Sequence, residues 1–253
     1  MTIPLQAGIV YGPVKSRRLG ASLGVNILPD ARKVCNFNCP YCQYGWTPAD
    51  PQGLALPDES WPHADIIAAA VDAALEGGAV VDRITLAGNG EPTLHPHFPD
   101  IVERLRTVRD RRARQARLAV LSNSSTIADP TIAAALLRID ERYMKLDAGD
   151  AATLRALNGT GVPIEEIIEG LARLDRVVLQ AMFTRDAGRK IDNTTPGALE
   201  GWIAAVRRVR PAAVHVYTID RSPAWKPLQP VPRTELEGIA ERVRALDISA
   251  LVF

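Results

Sequence analysis

The sequence predicts an α/β fold, a partial (β/α)6 barrel of the TIM type built on a parallel sheet. Three observations lead there. Short apolar runs alternate with stretches of helical periodicity, the pattern of a parallel sheet covered by helices. The later runs begin near residues 83, 118, 143, 177 and 214, and a strand-plus-helix unit needs about 30 residues. A full eightfold barrel takes about 250 residues with little to spare, and the long opening segment of this 253-residue chain leaves room for six units. An open doubly wound sheet is the second choice. No repeat, low-complexity tract or linker interrupts the pattern, so residues 1–253 read as one domain.

The first twenty or so residues are basic and glycine-rich and read as an irregular lead-in; residues 23–28 form a first strand. A cysteine loop follows, then a Pro/Gly/Asp-rich connection to about residue 63. In residues 65–76, Ile66, Ile67, Ala70, Val71, Ala74 and Leu75 share one helical face. Residues 83–87 are a strand, 98–114 a helix and 118–121 a strand. Asp129-Pro130 starts a helix, with Asp as cap and Pro in the first turn. Residues 143–146 are a strand, and Ile164, Ile167, Ile168 and Leu171 mark a helix. Residues 177–183 are apolar except for Gln180, as in a strand covered on both faces. Thr195-Pro196 caps the next helix; residues 214–219 are a strand and 232–246 a last helix.

Thirty basic and twenty-nine acidic residues leave a net charge of +1, so no global field draws the chain to nucleic acid or an anionic membrane. At this length folding buries about 70–75% of the unfolded surface, and the core needs no disulfides. No apolar stretch approaches the ~18 residues of a membrane span, and the start lacks the basic and apolar regions of a signal peptide. The chain therefore reads as cytoplasmic, where thiols stay reduced.

Its three cysteines all fall in one loop, Cys35-Asn36-Phe37-Asn38-Cys39-Pro40-Tyr41-Cys42. Soft thiolates select zinc, copper(I) or iron–sulfur clusters. A structural zinc site takes four ligands, and a [4Fe–4S] cluster normally takes four cysteines. Three cysteines leave one iron open to a substrate or cofactor. The alternative is a zinc scaffold that borrows His63, His95, His97 or His215 as fourth ligand.

The spacing C-x3-C-x-aromatic-C, with Tyr41 as the aromatic, resembles the signature of the radical S-adenosylmethionine (SAM) superfamily. Leu86-Ala87-Gly88-Asn89-Gly90-Glu91-Pro92-Thr93 looks like the second motif of that family. Residues 12–25, Lys145-Leu146-Asp147-Ala148 and Asp192-Asn193-Thr194 resemble one branch, that of the wyosine-forming transfer-RNA enzymes and their uncharacterised relatives. The resemblance implies an enzyme that binds one [4Fe–4S] cluster and reductively cleaves SAM to a 5′-deoxyadenosyl radical, which takes hydrogen from a substrate. It implies Cys35, Cys39 and Cys42 as cluster ligands. Tyr41 borders the adenine; Gly88, Asn89 and Gly90 let backbone carbonyls approach the SAM ammonium, and Glu91 offers it a carboxylate. Ser122, Asn123 and Ser124 bond to ribose or carboxylate. Lys145 holds the SAM carboxylate or faces Asp147, and Gln180 lines the SAM site. Arg17, Arg18, Asn193, Tyr217, Asp220 and Arg221 match polar positions of the branch that approach substrate or anchor loops, while His95 and His97 cap the next helix.

The implied partners are SAM, an external electron donor of flavodoxin or ferredoxin type, and an unidentified substrate. RNA is one candidate, since residues 104–117 are dense in arginine. The sparse aromatics and the low net charge favour a solvated helix there instead. Wyosine enzymes carry further cysteines for a second cluster, and this sequence has none, so that activity is not carried over.

Overall fold

The computed structural model describes residues 2–16, 18–48, 56–57, 60–188 and 190–253. In chain order the elements are β1 (Val10–Ser16), β2 (Gly20–Val25), α1 (Ala64–Glu76), β3 (Arg83–Leu86), α2 (Phe98–Arg112), β4 (Arg117–Ser122), α3 (Pro130–Leu137), β5 (Glu141–Lys145), α4 (Ala151–Asn158), α5 (Ile164–Arg173), β6 (Val177–Met182), β7 (Thr184–Asp186), β8 (Ile191–Asp192), α6 (Pro196–Val209), β9 (Ala213–Tyr217), β10 (Gln229–Pro230), α7 (Arg233–Arg244) and β11 (Ser249–Val252).

The main sheet runs β1-β2-β3-β4-β5-β6-β9-β11. From β2 to β11 every pair is parallel. This order follows the chain without reversal, as in a barrel and unlike a doubly wound sheet, whose order turns back at a switch point. The two ends, β1 and β11, do not pair, so the barrel is incomplete.

The alternation of side chains divides the sheet into two faces. One face carries Leu23, Val25, Ile84, Leu86, Leu118, Val120, Met144, Leu179, Ala181, Val214 and Val216, which join one large core with the helices. The inner face is different in kind. It carries Ser22 and Thr85, whose hydroxyls meet at 2.7 Å, and the Arg83–Glu141 ion pair at 2.6 Å. Lys145, Gln180, His215 and Tyr217 lie further along it. Leu19, between β1 and β2, packs onto Ala119 and Tyr143, so this turn folds across the inner face.

Asp129 caps α3 through the amides of Thr131 and Ile132, and Thr195 caps α6 through that of Ala198. Ile164, Ile167, Ile168 and Leu171 are the buried stripe of α5. Ile66 departs from the expected apolar face of α1 and stands 56% exposed.

Three further corrections concern strands. The lead-in is not irregular: Val10–Ser16 pairs antiparallel with β2, with a register shift between Tyr11 and Val14. An edge strand tolerates Pro13 because it need not donate on its outer side, and that hides the alternation. Ser249–Val252, too short to register as an apolar run, adds a seventh parallel strand after the six units. A small sheet, β10-β7-β8, lies outside the main one. Part of the connection after the cysteine loop, residues 49–55 and 58–59, lies outside the described residues, as does Arg17.

Candidate cluster and cofactor site

Because the strands are parallel, the loops after β2, β3, β4 and β5 gather at one rim, where barrel sites are built. The loop after β2 carries the cysteines. Its entry is clamped to the loop after β3: Val34 and Gly90 form a one-residue parallel bridge. The Val34 amide donates to the Asn89 carbonyl at 2.8 Å, and the Glu91 amide to the Val34 carbonyl at 2.9 Å. The glycines make this approach feasible. A Cβ on Gly90 would lie 1.7 Å from the Val34 carbonyl oxygen, and one on Gly88 would lie 2.5 Å from Asn26 Oδ1. Gly90 also has φ of 149°, a conformation open to glycine alone in practice. Further along, the Asn38 amide donates to the Asn158 carbonyl at 2.8 Å, tying the loop to the end of α4. Phe37 plugs the core beneath.

All three cysteines are free; Cys39 is buried, and Cys35 and Cys42 are partly so. Two sulfurs have amide neighbours. Asn123 Nδ2 lies 3.7 Å from Cys35 Sγ, and Asn158 Nδ2 lies 3.4 Å from Cys39 Sγ. Burial pushes the Cys35 thiol up to about 12, with Cys39 adding to the rise. Burial also raises Cys39, against the opposing hydrogen bonds of Tyr41 and Asn158 and the charge of Lys145. Without a cation, the Cys35 and Cys39 thiols stay protonated. A positively charged metal centre would favour the thiolates that the amide donors already suit.

Two groups of side chains surround the sulfurs. On the Cys35 side, Glu91 is buried; its carboxylate accepts from the amide and hydroxyl of Thr93 and from the Asn123 amide. Burial raises its pKa against those bonds. Asn123 also donates to Asn36 at 2.9 Å. Ser122 accepts from the Ser124 amide, and Ser124 donates to the Lys145 carbonyl, linking the ends of β4 and β5.

On the Cys39 side, Tyr41 donates its hydroxyl to Asp147 Oδ2. Asn158 Nδ2 stands 2.7 Å from the Tyr41 hydroxyl and 2.8 Å from Asp147 Oδ2. Burial, then the Asp147 charge, holds the Tyr41 phenol well above its ordinary pKa, so it remains a donor. Lys145 donates to the Tyr217 hydroxyl at 2.9 Å and lies 3.6 Å from Asp147 Oδ2. Burial alone would lower the Lys145 pKa; Asp147 and Tyr217 outweigh it and raise it.

The sequence model of the radical SAM superfamily matches residues 33–185, more than half of the chain. The chain belongs to the radical SAM superfamily. Members of this superfamily bind a [4Fe–4S] cluster and SAM. Among curated relatives, a UPF0026 protein of Helicobacter pylori (strain ATCC 700392 / 26695) is 31% identical over 222 residues, covering 86% of this chain and 68% of its own. UPF0026 protein slr1464 of Synechocystis sp. is 30% identical over 238 residues, covering 90% of this chain and 79% of its own. A radical SAM methyltransferase from Sphaerobacter thermophilus has the same fold, with a TM-score of 0.64 at 18% identity over 92% of this chain and 65% of that one. So does TYW1 with a lysine-pyruvate adduct bound, with a TM-score of 0.63 at 15% identity over 90% of this chain and 74% of that one. The chain thus spans just under two thirds of the Sphaerobacter structure.

Within this radical SAM chain, Cys35, Glu91, Ser122 and Asn123 come together in one group, and Cys39, Tyr41, Lys145 and Asp147 in the other. Gln180 is in register with both Lys145 and His215 on the inner face. Asn89 turns away from the rim: its side chain bonds both the amide and the carbonyl of Gln6. The Gly88 carbonyl accepts from the Gly90 amide at 2.8 Å. Asn193 braces the fold, donating to the carbonyls of Asp147 and Met182. Arg221, exposed at the mouth, donates to Gln43 at 2.8 Å.

The sequence reading missed Asn26, Asn36 and Asn158. For Asn158 a signal was present, since Asn158-Gly159 is a helix stop: Gly159 is the left-handed cap of α4.

The histidines stand away from the sulfurs. His95 bonds the Pro62 carbonyl and accepts from the His97 amide. His63 and His97 occupy N-cap positions without a side-chain cap bond, and His215 lies inside the sheet. Among the described residues, no three His, Cys, Asp or Glu side chains converge on a single ion. Cluster thiolates each bind a different iron and need not converge on a point. The arginine-dense helix α2 is laced with carboxylates. Arg104 pairs with Asp65 and Asp100, Arg109 with Asp110 and Asp140, and Arg111 and Arg112 with Asp72. Pairs such as Arg104–Asp65 and Arg112–Asp72 stitch α2 to α1, while Arg114 and Arg117 stand exposed.

Proposed function

We propose that this chain is a radical SAM enzyme in which Cys35, Cys39 and Cys42 hold one [4Fe–4S] cluster and SAM docks beside it, acting on an unidentified substrate. The observation that carries the reading is the clamped three-cysteine loop at the carboxyl rim, with amide donors on two sulfurs. When bound, the cluster supplies the electron that splits the carbon–sulfur bond of SAM, leaving methionine and a 5′-deoxyadenosyl radical.

The chain's own residues bind and orient. Gly88, Asn89, Gly90 and Glu91 form the shelf for the amino-acid end of SAM, each carbonyl there keeping a second lone pair. Glu91 works chiefly as a positioning residue, since its oxygens already hold the Thr93 and Asn123 donors. Ser122 and Asn123 border the same end. Tyr41 borders the adenine with its hydroxyl anchored on Asp147. Lys145 and Gln180 look from the inner face toward the space that SAM and substrate share. The protein's part is to bind, orient and exclude side reactions.

An external carrier of ferredoxin or flavodoxin type delivers the electron. Among the described residues no helix is long and apolar enough to cross a membrane, and free thiols suit a reducing compartment such as the cytoplasm. We take the chain as one catalytic unit.

The test is anaerobic purification, iron and sulfide analysis, and reduction in the presence of SAM. About four irons per chain and formation of 5′-deoxyadenosine are expected. Colourless protein with one zinc and no such product would refute the reading.

A further inference from the structure

We propose that the inner chamber of the barrel contains an oxyanion subsite built from Arg18 and His215, so that the substrate carries a carboxylate or phosphate group. The proposal deepens the radical SAM reading and rests on it for the word substrate; the subsite itself rests on separate observations.

Arg18 lies in the turn that folds across the inner face, with its guanidinium carbon 4.5 Å from the centre of the Tyr217 ring. Its Nη1 is buried and meets no hydrogen-bond partner. Two other cations of the inner face are matched, Lys145 by Asp147 and Arg83 by Glu141. Among the described residues no carboxylate pairs with Arg18, so its charge stays unmatched.

His215 stands two residues before Tyr217 on β9, and so on the same face. It is 6% exposed, and its Nδ1 is likewise buried without a partner. Tyr143 and Phe253 fix the imidazole, at ring distances of 5.7 and 4.9 Å. Burial, and after it the Arg18 charge, lowers the imidazole pKa to about 4 and keeps the ring neutral.

Two unsatisfied polar groups within electrostatic reach of each other, one cationic and one able to donate as a neutral tautomer, match an anion with two or more oxygens. Guanidinium prefers that geometry, and buried polar groups are rarely left without partners. The positions fix an orientation as well. From Arg18 the contacts run through Tyr217 and Lys145 to Tyr41, in the cysteine loop. An anion on Arg18 and His215 anchors the far end of a substrate whose reacting carbon points toward that loop.

The test uses the full chain with its cluster reconstituted and SAM present, labelled with 13C-histidine. There are four histidines, and His215→Asn assigns the relevant signal. Inorganic phosphate and malonate are titrated separately. A saturable shift of the His215 signal with either one is expected; phosphate alone points to a phosphorylated substrate and malonate alone to a carboxylic acid. Arg18→Gln should weaken binding about tenfold or more, as expected for a charge-assisted hydrogen bond. Arg18→Lys, which keeps the charge, should weaken it less and serves if Arg18→Gln does not fold. No saturable shift with either anion, or equal affinity in a folded Arg18→Gln variant, overturns the subsite. Iron content and 5′-deoxyadenosine formation are scored in the same samples: their loss alone refutes the enzyme reading and leaves the subsite standing.

Discussion

The side-chain amide of Asn158 lies 3.4 Å from the sulfur of Cys39, although 119 residues separate them. One amide group at the end of α4 thereby meets a proposed cluster ligand, the Tyr41 hydroxyl and the Asp147 carboxylate. It couples the sulfur loop to the rim of β5.

Replacing Asn158 with Leu should keep the iron content but shift the cluster to a more negative reduction potential. A hydrogen bond to a ligating sulfur stabilises the more negative, reduced form. The fold should lose about 1–3 kcal/mol, because buried polar neighbours lose a donor. Redox titration and chemical denaturation read the two effects. An unchanged potential would place the amide outside the influence of the cluster.

Gly90→Ala should abolish cluster binding while leaving a folded barrel. The added carbon would meet the Val34 carbonyl oxygen at 1.7 Å, and the positive φ adds about 1–3 kcal/mol of strain. The Val34 bridge must open, which releases the loop that presents Cys35. Iron analysis beside circular dichroism checks this; full iron content would contradict it.

Lys145→Met should destabilise the chain by about 2–4 kcal/mol, because Asp147, 1% exposed, loses its cation. Adding Asp147→Asn should recover part of that loss, since the stranded charge is gone. A double-mutant cycle by denaturation measures the coupling. Strict additivity would mean the pair does not interact.

Stability should fall as pH drops from about 6.5 to about 4, in part through His215, whose folded pKa is depressed to about 4. The sign follows from proton uptake. Below the ordinary value of 6.5 the unfolded imidazole takes a proton that the folded one refuses, so acid favours unfolding. The contribution is at most about 3 kcal/mol. Tyr143 and Phe253 pack against the ring, and the Arg18 charge acts on it. His215→Gln should flatten the acid limb of the stability curve measured in urea; an unchanged limb would discount the residue.

Much of this was legible in the residue order, and what was legible was local. The six strand–helix units, the Asp129 and Thr195 caps and the three-cysteine loop show in the sequence because periodicity, capping and ligand spacing act over a few residues. The edge strand Val10–Ser16 stayed hidden, because its pairing partner and not its composition makes it a strand. The different outcomes for Lys145 and Arg18 have a common origin: Asp147 lies two residues from Lys145 along the chain, but only the curved sheet brings Tyr217 to it and, among the described residues, leaves Arg18 without a carboxylate. Glu91 was recognisable as part of a motif, yet burial and the Thr93 and Asn123 donors decide how its charge is used. Local chemistry is written along the chain, whereas burial and charge pairing are relations between distant residues, and they exist only once the sheet has brought those residues together.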